Sequence, residues 1–230
     1  MCGRKTLSRS IESIIEEMNI EEWKDSDLYQ PRYNIAPSQY SPVIIDKVVR
    51  HAKLMRWGLI PNWATDLSIG SKLINARSET LLQKPSFQNL VPSRRCVVIS
   101  DGYFEWKRTS GRSIPYYIYH PENNLLPMAG LWDIWKKPTG ENIFSYTIIT
   151  TKPNSSVEEV HHRMPVILNS KSLDPWLKVR NTTIADAINV LKPYDQTLNF
   201  HEVSRMVNSP KNNRPEYILP LDNSKNLTLF

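Results

Sequence analysis

The feature that most limits what this chain can fold into is a succession of short β-type runs cut by Pro, Gly and Asn turns. Residues 42–49 and 51–57 read as two strands joined through a short basic turn, the first rich in Val and Ile. The stretches 94–100, 101–107, 115–120, 126–135 and 142–151 continue the pattern. That spacing predicts an antiparallel sheet closing on itself. Helices are sparse. Ile11, Ile14, Ile15 and Met18 recur at helical spacing with Glu12, Glu16 and Glu17 between them, which predicts an amphipathic helix over 8–18. Short helices are also predicted from residue 73 to before Pro85, over 183–192, and from a capping box at Ser155 and Ser156 to the pair His161-His162. With no repeat, low-complexity tract or long linker, residues 1–230 read as one domain; the Lys- and Asn-rich stretch 208–214 and the tail after 222 are expected to be solvated.

Composition narrows the function classes. Cys2 and Cys96 are the only cysteines, too few for a disulfide framework, so a reducing compartment is expected. No stretch has the apolar length of a signal core or a membrane span, which points to a cytoplasmic protein with no membrane partner. The formal charge of +6 permits a polyanionic partner, and seven Trp with ten Tyr supply flat surfaces of the kind a single strand of nucleic acid needs. Most of those aromatics are equally expected in the core.

Chemistry concentrates at the amino terminus. Met1 precedes a small residue, the usual setting for methionine removal, and a chain beginning at Cys2 carries an amine and a thiol on one residue. With reference pKa values of about 7.7–8.0 and about 8.5, each is partly nucleophilic near neutrality. Two reactions start from that pair. The amine can condense with an aldehyde to an imine, on whose carbon the thiol closes a thiazolidine ring. Alternatively the amine acts as base for the thiol, the logic of N-terminal nucleophile hydrolases. A Cys here can also be an incidental residue of a frayed end.

Other candidates are spread along the chain. Pro31 and Pro37 hold Tyr33-Asn34-Ile35 extended and present Asn34 from a fixed loop, as a site residue or a turn former. Trp63, in the loop after Arg56-Trp57-Gly58, is a stacking platform or, with Trp57, a plug at a barrel end. Asn75 and Arg77 fall at the start of a predicted helix, where N–H groups and a guanidinium suit a phosphate. Glu105 stands among Tyr103, Phe104 and Trp106, where a raised pKa would suit a proton shuttle; a structural pair with Lys107 is the alternative. His161 and His162, about 100° apart on a helix, cannot form an i, i+4 metal pair; no metal and no cofactor is expected. One of them is a candidate general acid or base, with a satisfied surface histidine as the alternative. Cys96, in an apolar run, reads as core.

Seven stretches in order carry a resemblance: Met1-Cys2-Gly3-Arg4, Tyr33-Asn34-Ile35-Ala36-Pro37, Trp57-Gly58-Leu59-Ile60-Pro61, Ile74-Asn75-Ala76-Arg77, Asp101-Gly102-Tyr103-Phe104-Glu105-Trp106-Lys107, Ala129-Gly130-Leu131-Trp132 and His161-His162-Arg163-Met164-Pro165. With them the chain resembles the SOS response-associated peptidase family, the abasic-site processing proteins of bacteria and phages. The resemblance implies an α+β single domain, built on a curved antiparallel sheet or barrel with peripheral helices, and a basic cleft for single-stranded DNA. It also implies that Cys2 captures the ring-opened aldehyde of an abasic site as a thiazolidine crosslink that shields the lesion. Carried over residue by residue, Asn34 would orient the sugar, Glu105 would move protons during imine formation, and His161 would serve the sugar hydroxyl. Arg4, Asn75 and Arg77 would hold phosphates, with Thr150 nearby and Trp63 stacking on a base; a monomer is expected. The Tyr103-Phe104 order and the single Trp63 depart from some relatives. Two readings of other classes stay open: an N-terminal cysteine peptidase or amidohydrolase, and a noncovalent reader of single-stranded or modified DNA in which Cys2 is dispensable.

Overall fold

The apolar runs become strands whose edges meet. In a computed structural model describing residues 2–46 and 49–221, the elements in chain order are β1 (Arg4–Leu7), α1 (Ile11–Met18), β2 (Glu22–Trp23), β3 (Arg32–Ile35), β4 (Tyr40–Asp46), β5 (Arg50–Trp57), β6 (Asn75–Arg77), β7 (Arg95–Val98), β8 (Gly102–Thr109), β9 (Arg112–Tyr119), β10 (Met128–Lys136), β11 (Asn142–Thr151), β12 (Met164–Pro165), α2 (Leu173–Leu177), α3 (Ile184–Asn189) and β13 (Asn199–Glu202). Met1, Lys47, Val48 and the tail after 221 lie outside the described residues.

β11 pairs antiparallel with β10, β10 with β7, β7 with β4, and β4 with β5. β5 then returns to β11 through Arg56 opposite Ser145 and Trp57 opposite Tyr146. These five strands form a closed barrel, which removes the unpaired edges of an open sheet. The closing pair is parallel, so the barrel is mixed and not wholly antiparallel as the turn spacing suggested.

A second sheet has the order β13-β9-β8-β1-β3. Because side chains alternate along each strand, its two faces have different neighbours. Leu7, Ile35, Tyr103 and Ile118 turn inward and join Val43, Val97 and Trp57 of the barrel in one apolar core that also takes in Cys2. Burying each such aliphatic or aromatic side chain stabilises the fold by roughly 1.5–3 kcal/mol. Phe104 and Tyr117 turn outward and are covered by Val203 and Val207.

The helices are peripheral. Ser10 caps α1 by accepting a hydrogen bond from the Ser13 N–H at 3.3 Å, so the helix starts after the cap, and Ile14 and Met18 are its buried residues. Thr183 caps α3 in the same way. Two expectations are corrected. Asn75 and Arg77 lie on strand β6, parallel to β11, not at a helix start; only a 3-10 turn, Ser78–Thr80, follows. Residues 154–161 form successive turns, not a capped helix, because Asn154 itself takes the turn: its carbonyl accepts from Glu158 N–H at 3.1 Å and its side chain from Ser156 Oγ at 2.8 Å. The stretch 208–214 is largely exposed, with Asn208, Pro210, Lys211, Asn213 and Arg214 at the surface, and hydrogen bonds from β1 and β3 hold its backbone.

Candidate active site and nucleic-acid interface

The sequence candidates separate onto the two faces of the second sheet. On the inner side Cys2 is fully buried, and its carbonyl accepts a 2.8 Å hydrogen bond from Asn75 Nδ2. Asn75 reaches it because β6 lies beside β11 and is only three residues long. The Asn75 Oδ1 atom is buried and accepts no hydrogen bond from the described residues. Burial, with the negative charge of Glu105 second, pushes the Cys2 thiol up to about 12.

Glu105 alternates inward between Phe104 and Trp106 on β8 and is 2% exposed. Burial raises its carboxyl from the ordinary range to about 7. Its Oε1 lies 3.7 Å from His161 Nδ1. Burial also lowers His161 to about 4, so at neutral pH its ring is uncharged and the 3.7 Å approach is not an ion pair. Both backbone groups of Arg163 lie 3.1 Å from the same ring nitrogen, and the His162 ring centroid is 4.3 Å away. Lys107, the expected partner of Glu105, instead reaches Glu159 at 3.1 Å. The inner site thus joins an amide-held Cys2, a carboxyl that titrates near neutrality and a neutral imidazole. That set can shuttle protons around a nucleophile.

Arg4 and Asn34 lie on the other face. Arg4 pairs across the strands with Phe104, and its guanidinium sits 5.8 Å from the Trp106 ring. It donates to Asn34 Oδ1 at 2.8 Å, to the Val207 carbonyl at 2.6 Å and to the Asn208 carbonyl at 3.4 Å. The Asn34 amide nitrogen, with two hydrogens, is surrounded by the carbonyls of Val207, Ser209 and Asn212 at 3.2, 3.1 and 2.7 Å. Trp106 Nε1 and the Tyr33 N–H add bonds to the side chains of Asn208 and Asn213. Here the backbone of the 207–213 strap is held by side chains expected to face substrate, while most of its own side chains from 208 on are exposed. Asn34 is committed to holding the strap.

The interface candidates also divide. Trp63 is 58% exposed and free to stack. Its loop is shaped by Gly58, which has φ +109° and stands so close to Gly70 that any Cβ would come within 2.5 Å of that carbonyl oxygen. Trp57 is core: it stacks on Tyr146 with 6.3 Å between centroids and 7° between planes, and its Nε1 donates to the Ile74 carbonyl at 3.0 Å. Arg77 is exposed at the end of β6. Thr150, opposite Arg77 in the β6–β11 register, is fully buried, with its hydroxyl directed to Ala76 and Arg163. Cys96 is buried core as expected.

Sequence reasoning missed the grip of Asn75 on Cys2 and the role of Arg163 beside His161. The only local signal for the first was the alternation in Asn75-Ala76-Arg77. Among the described residues, no group of three His, Cys, Asp or Glu could hold a metal ion, and no helix is long and apolar enough to cross a membrane.

The profile of the SOS response associated peptidase (SRAP) family matches residues 1–210. Abasic site processing protein YoqW of Bacillus subtilis is 45% identical over 221 residues, covering 95% of this chain and 99% of the relative. Abasic site processing protein HMCES of Rattus norvegicus is 35% identical over 272 residues, covering 96% and 76%. A solved structure from Bacteroides thetaiotaomicron superposes with a TM-score of 0.86 at 28% identity, covering 96% of this chain and all (100%) of that one.

Proposed function

The chain belongs to the SOS response associated peptidase family, and on that premise we propose that it captures the aldehyde of an abasic site in single-stranded DNA as a covalent thiazolidine on Cys2, once Met1 is removed. The observation that carries the proposal is a buried Cys2 whose carbonyl is held by Asn75 and whose thiol feels the charge of Glu105, itself 3.7 Å from His161.

The steps balance as a condensation. His161, neutral at working pH, accepts the sugar hydroxyl proton and returns it to the departing ring oxygen as the ring opens to the aldehyde. The Cys2 amine adds to the carbonyl carbon, and Glu105 in its acid form protonates the departing oxygen, which leaves as one water and gives an imine. The thiol, held protonated by burial, then gives its proton to the Glu105 carboxylate beside the new iminium cation, and sulfur adds to the imine carbon. One C–N bond and one C–S bond form, and one water is released. Asn75 takes the orienting role that the sequence reading gave to Asn34: Nδ2 fixes the Cys2 carbonyl and Oδ1 is the acceptor for the sugar hydroxyl. Exposed Arg77 supplies phosphate contact and Trp63 a base platform, giving affinity without base choice and a steep fall with salt.

Incubation with a single-stranded oligonucleotide carrying one abasic site, followed by a denaturing gel, tests this reading. A retarded band that persists in denaturant and is absent with Cys2→Ala supports it. Salt-sensitive binding with no such band would leave a noncovalent reader.

A further inference from the structure

Two arms of the inner site flank the same strand. In β11, Thr150 is paired with Arg77 of β6 on one edge and with Pro165 of β12 on the other. β6 carries Asn75, which holds Cys2; the turn 160–165 carries His161, which faces Glu105. One guanidinium ties the arms together. Arg163 Nη1 and Nη2 grip the two carboxylate oxygens of Glu79 at 2.7 and 3.0 Å. Nη2 also donates to the Thr150 carbonyl at 2.6 Å and lies 3.3 Å from its hydroxyl. Glu79 sits in the turn Ser78–Thr80, directly after β6, while the backbone of Arg163 holds the His161 ring.

We propose that the Glu79–Arg163 pair is a positioning brace that fixes His161 relative to Asn75 and Cys2, so that the groups around the captured aldehyde keep one arrangement while DNA enters. The inference rests on the aldehyde-capture reading. A bidentate arginine–carboxylate fork fixes orientation as well as distance, which a single point contact does not. It is unlike an ordinary surface pair. The Arg163 side chain is 11% exposed and anchored to β11, whereas Glu79 is 42% exposed, so the pair itself adds little to stability. Its effect is therefore expected in rate. Displacement of a catalytic group by about 1 Å costs on the order of 100-fold.

The test measures the rate of adduct formation at saturating abasic oligonucleotide, with affinity for the same oligonucleotide lacking the lesion measured alongside. Glu79→Ala should slow the adduct by about 10- to 100-fold, with affinity and melting temperature unchanged. Glu79→Gln should fall between it and the parent, because one oxygen still accepts. Arg163→Lys keeps the charge but not the fork and should lose as much; adding Glu79→Ala to it should cost nothing more, since the two act as one unit. A Glu79→Ala protein that reacts at the parental rate overturns the brace and leaves the capture reading intact. So does weaker DNA binding with an unchanged saturated rate, which would make the pair a phosphate contact. If the parent protein forms no adduct, the capture reading itself falls.

Discussion

The two faces of the second sheet use polar groups in opposite ways. On the outer face, Arg4 and the Asn34 amide are committed to backbone carbonyls of the 207–212 strap. On the inner face, polar groups are buried at a cost in stability and kept chemically available: Asn75 Oδ1 accepts nothing from the described residues, and Glu105 and His161 are shifted towards neutrality by burial. The difference teaches how to tell a clamp from a site when both are buried and built from the same residue types. The clamp spends its donors on fixed backbone carbonyls; the site holds groups whose protonation burial has moved towards neutrality and an amide oxygen that accepts from no described residue.

The largest expected effect on that contrast comes from Cys2→Ala, which removes the adduct altogether on a denaturing gel while salt-sensitive DNA binding persists. Glu105→Gln comes next. It keeps the shape but cannot exchange a proton, and the adduct rate at pH 7 should fall by about 100-fold or more, the usual scale for general acid–base catalysis.

The two asparagines sharpen the comparison. Asn75→Ala should slow the adduct by about tenfold or more, equivalent to about 1.4 kcal/mol of barrier, with little change in melting temperature. Asn34→Ala should do the reverse. It leaves Arg4 and the strap carbonyls short of partners, a loss of roughly 1–3 kcal/mol, which in a domain of this size lowers the melting temperature by about 2–4 °C per kcal/mol. The rate per folded molecule should hold. A slower rate without destabilisation in Asn34→Ala would return that residue to the site.

Stability against pH breaks the comparison in another way. The folded carboxyl of Glu105 lies near 7, above its unfolded value, so the native state binds the extra proton between the two. Its contribution is fully present below the unfolded pKa and is lost as pH rises towards 7. The opposite holds for His161, whose folded value near 4 makes stability fall as pH drops below its unfolded value. Between about pH 5 and 6.5 the two slopes oppose each other, so chemical denaturation should find the parent nearly flat there, while Glu105→Gln, left with His161 alone, gains stability as pH rises and outer-face variants keep the parental profile. The smallest effect on the fold belongs to Trp63→Ala. It should leave stability within about 0.5 kcal/mol and weaken single-strand binding by roughly 1–3 kcal/mol.

How much could be read from the sequence follows the range of the interactions. Local periodicity found the strands of the barrel and α1, because alternation and i, i+3, i+4 spacing are written in neighbouring residues. It placed Glu105 on a strand among aromatics for the same reason. It missed β6 because three residues in a non-local parallel pair with β11 carry no period of their own. The turns at 154–161 were misread because Ser155, Ser156 and two glutamates satisfy a capping pattern that Asn154 pre-empts. The polar composition of 208–214 matches its largely exposed side chains but carries no sign that its backbone is held. Its ordering comes from Arg4 and Asn34, some 170 to 200 residues earlier in the chain. The resemblance to the SRAP family singled out Cys2, Glu105 and His161, which lie on the inner side, and Asn34, whose amide this fold places against the 207–212 carbonyls.

The central claim is that the inner-face Cys2 captures an aldehyde through both its amine and its thiol. Intact mass measurement after incubation with an abasic single-stranded oligonucleotide tests it most directly. The account predicts a denaturant-stable species equal to the chain without Met1 plus the oligonucleotide minus one water, with the added mass mapped to Cys2. A chain that has lost Met1 and stays at its own mass under those conditions would contradict it.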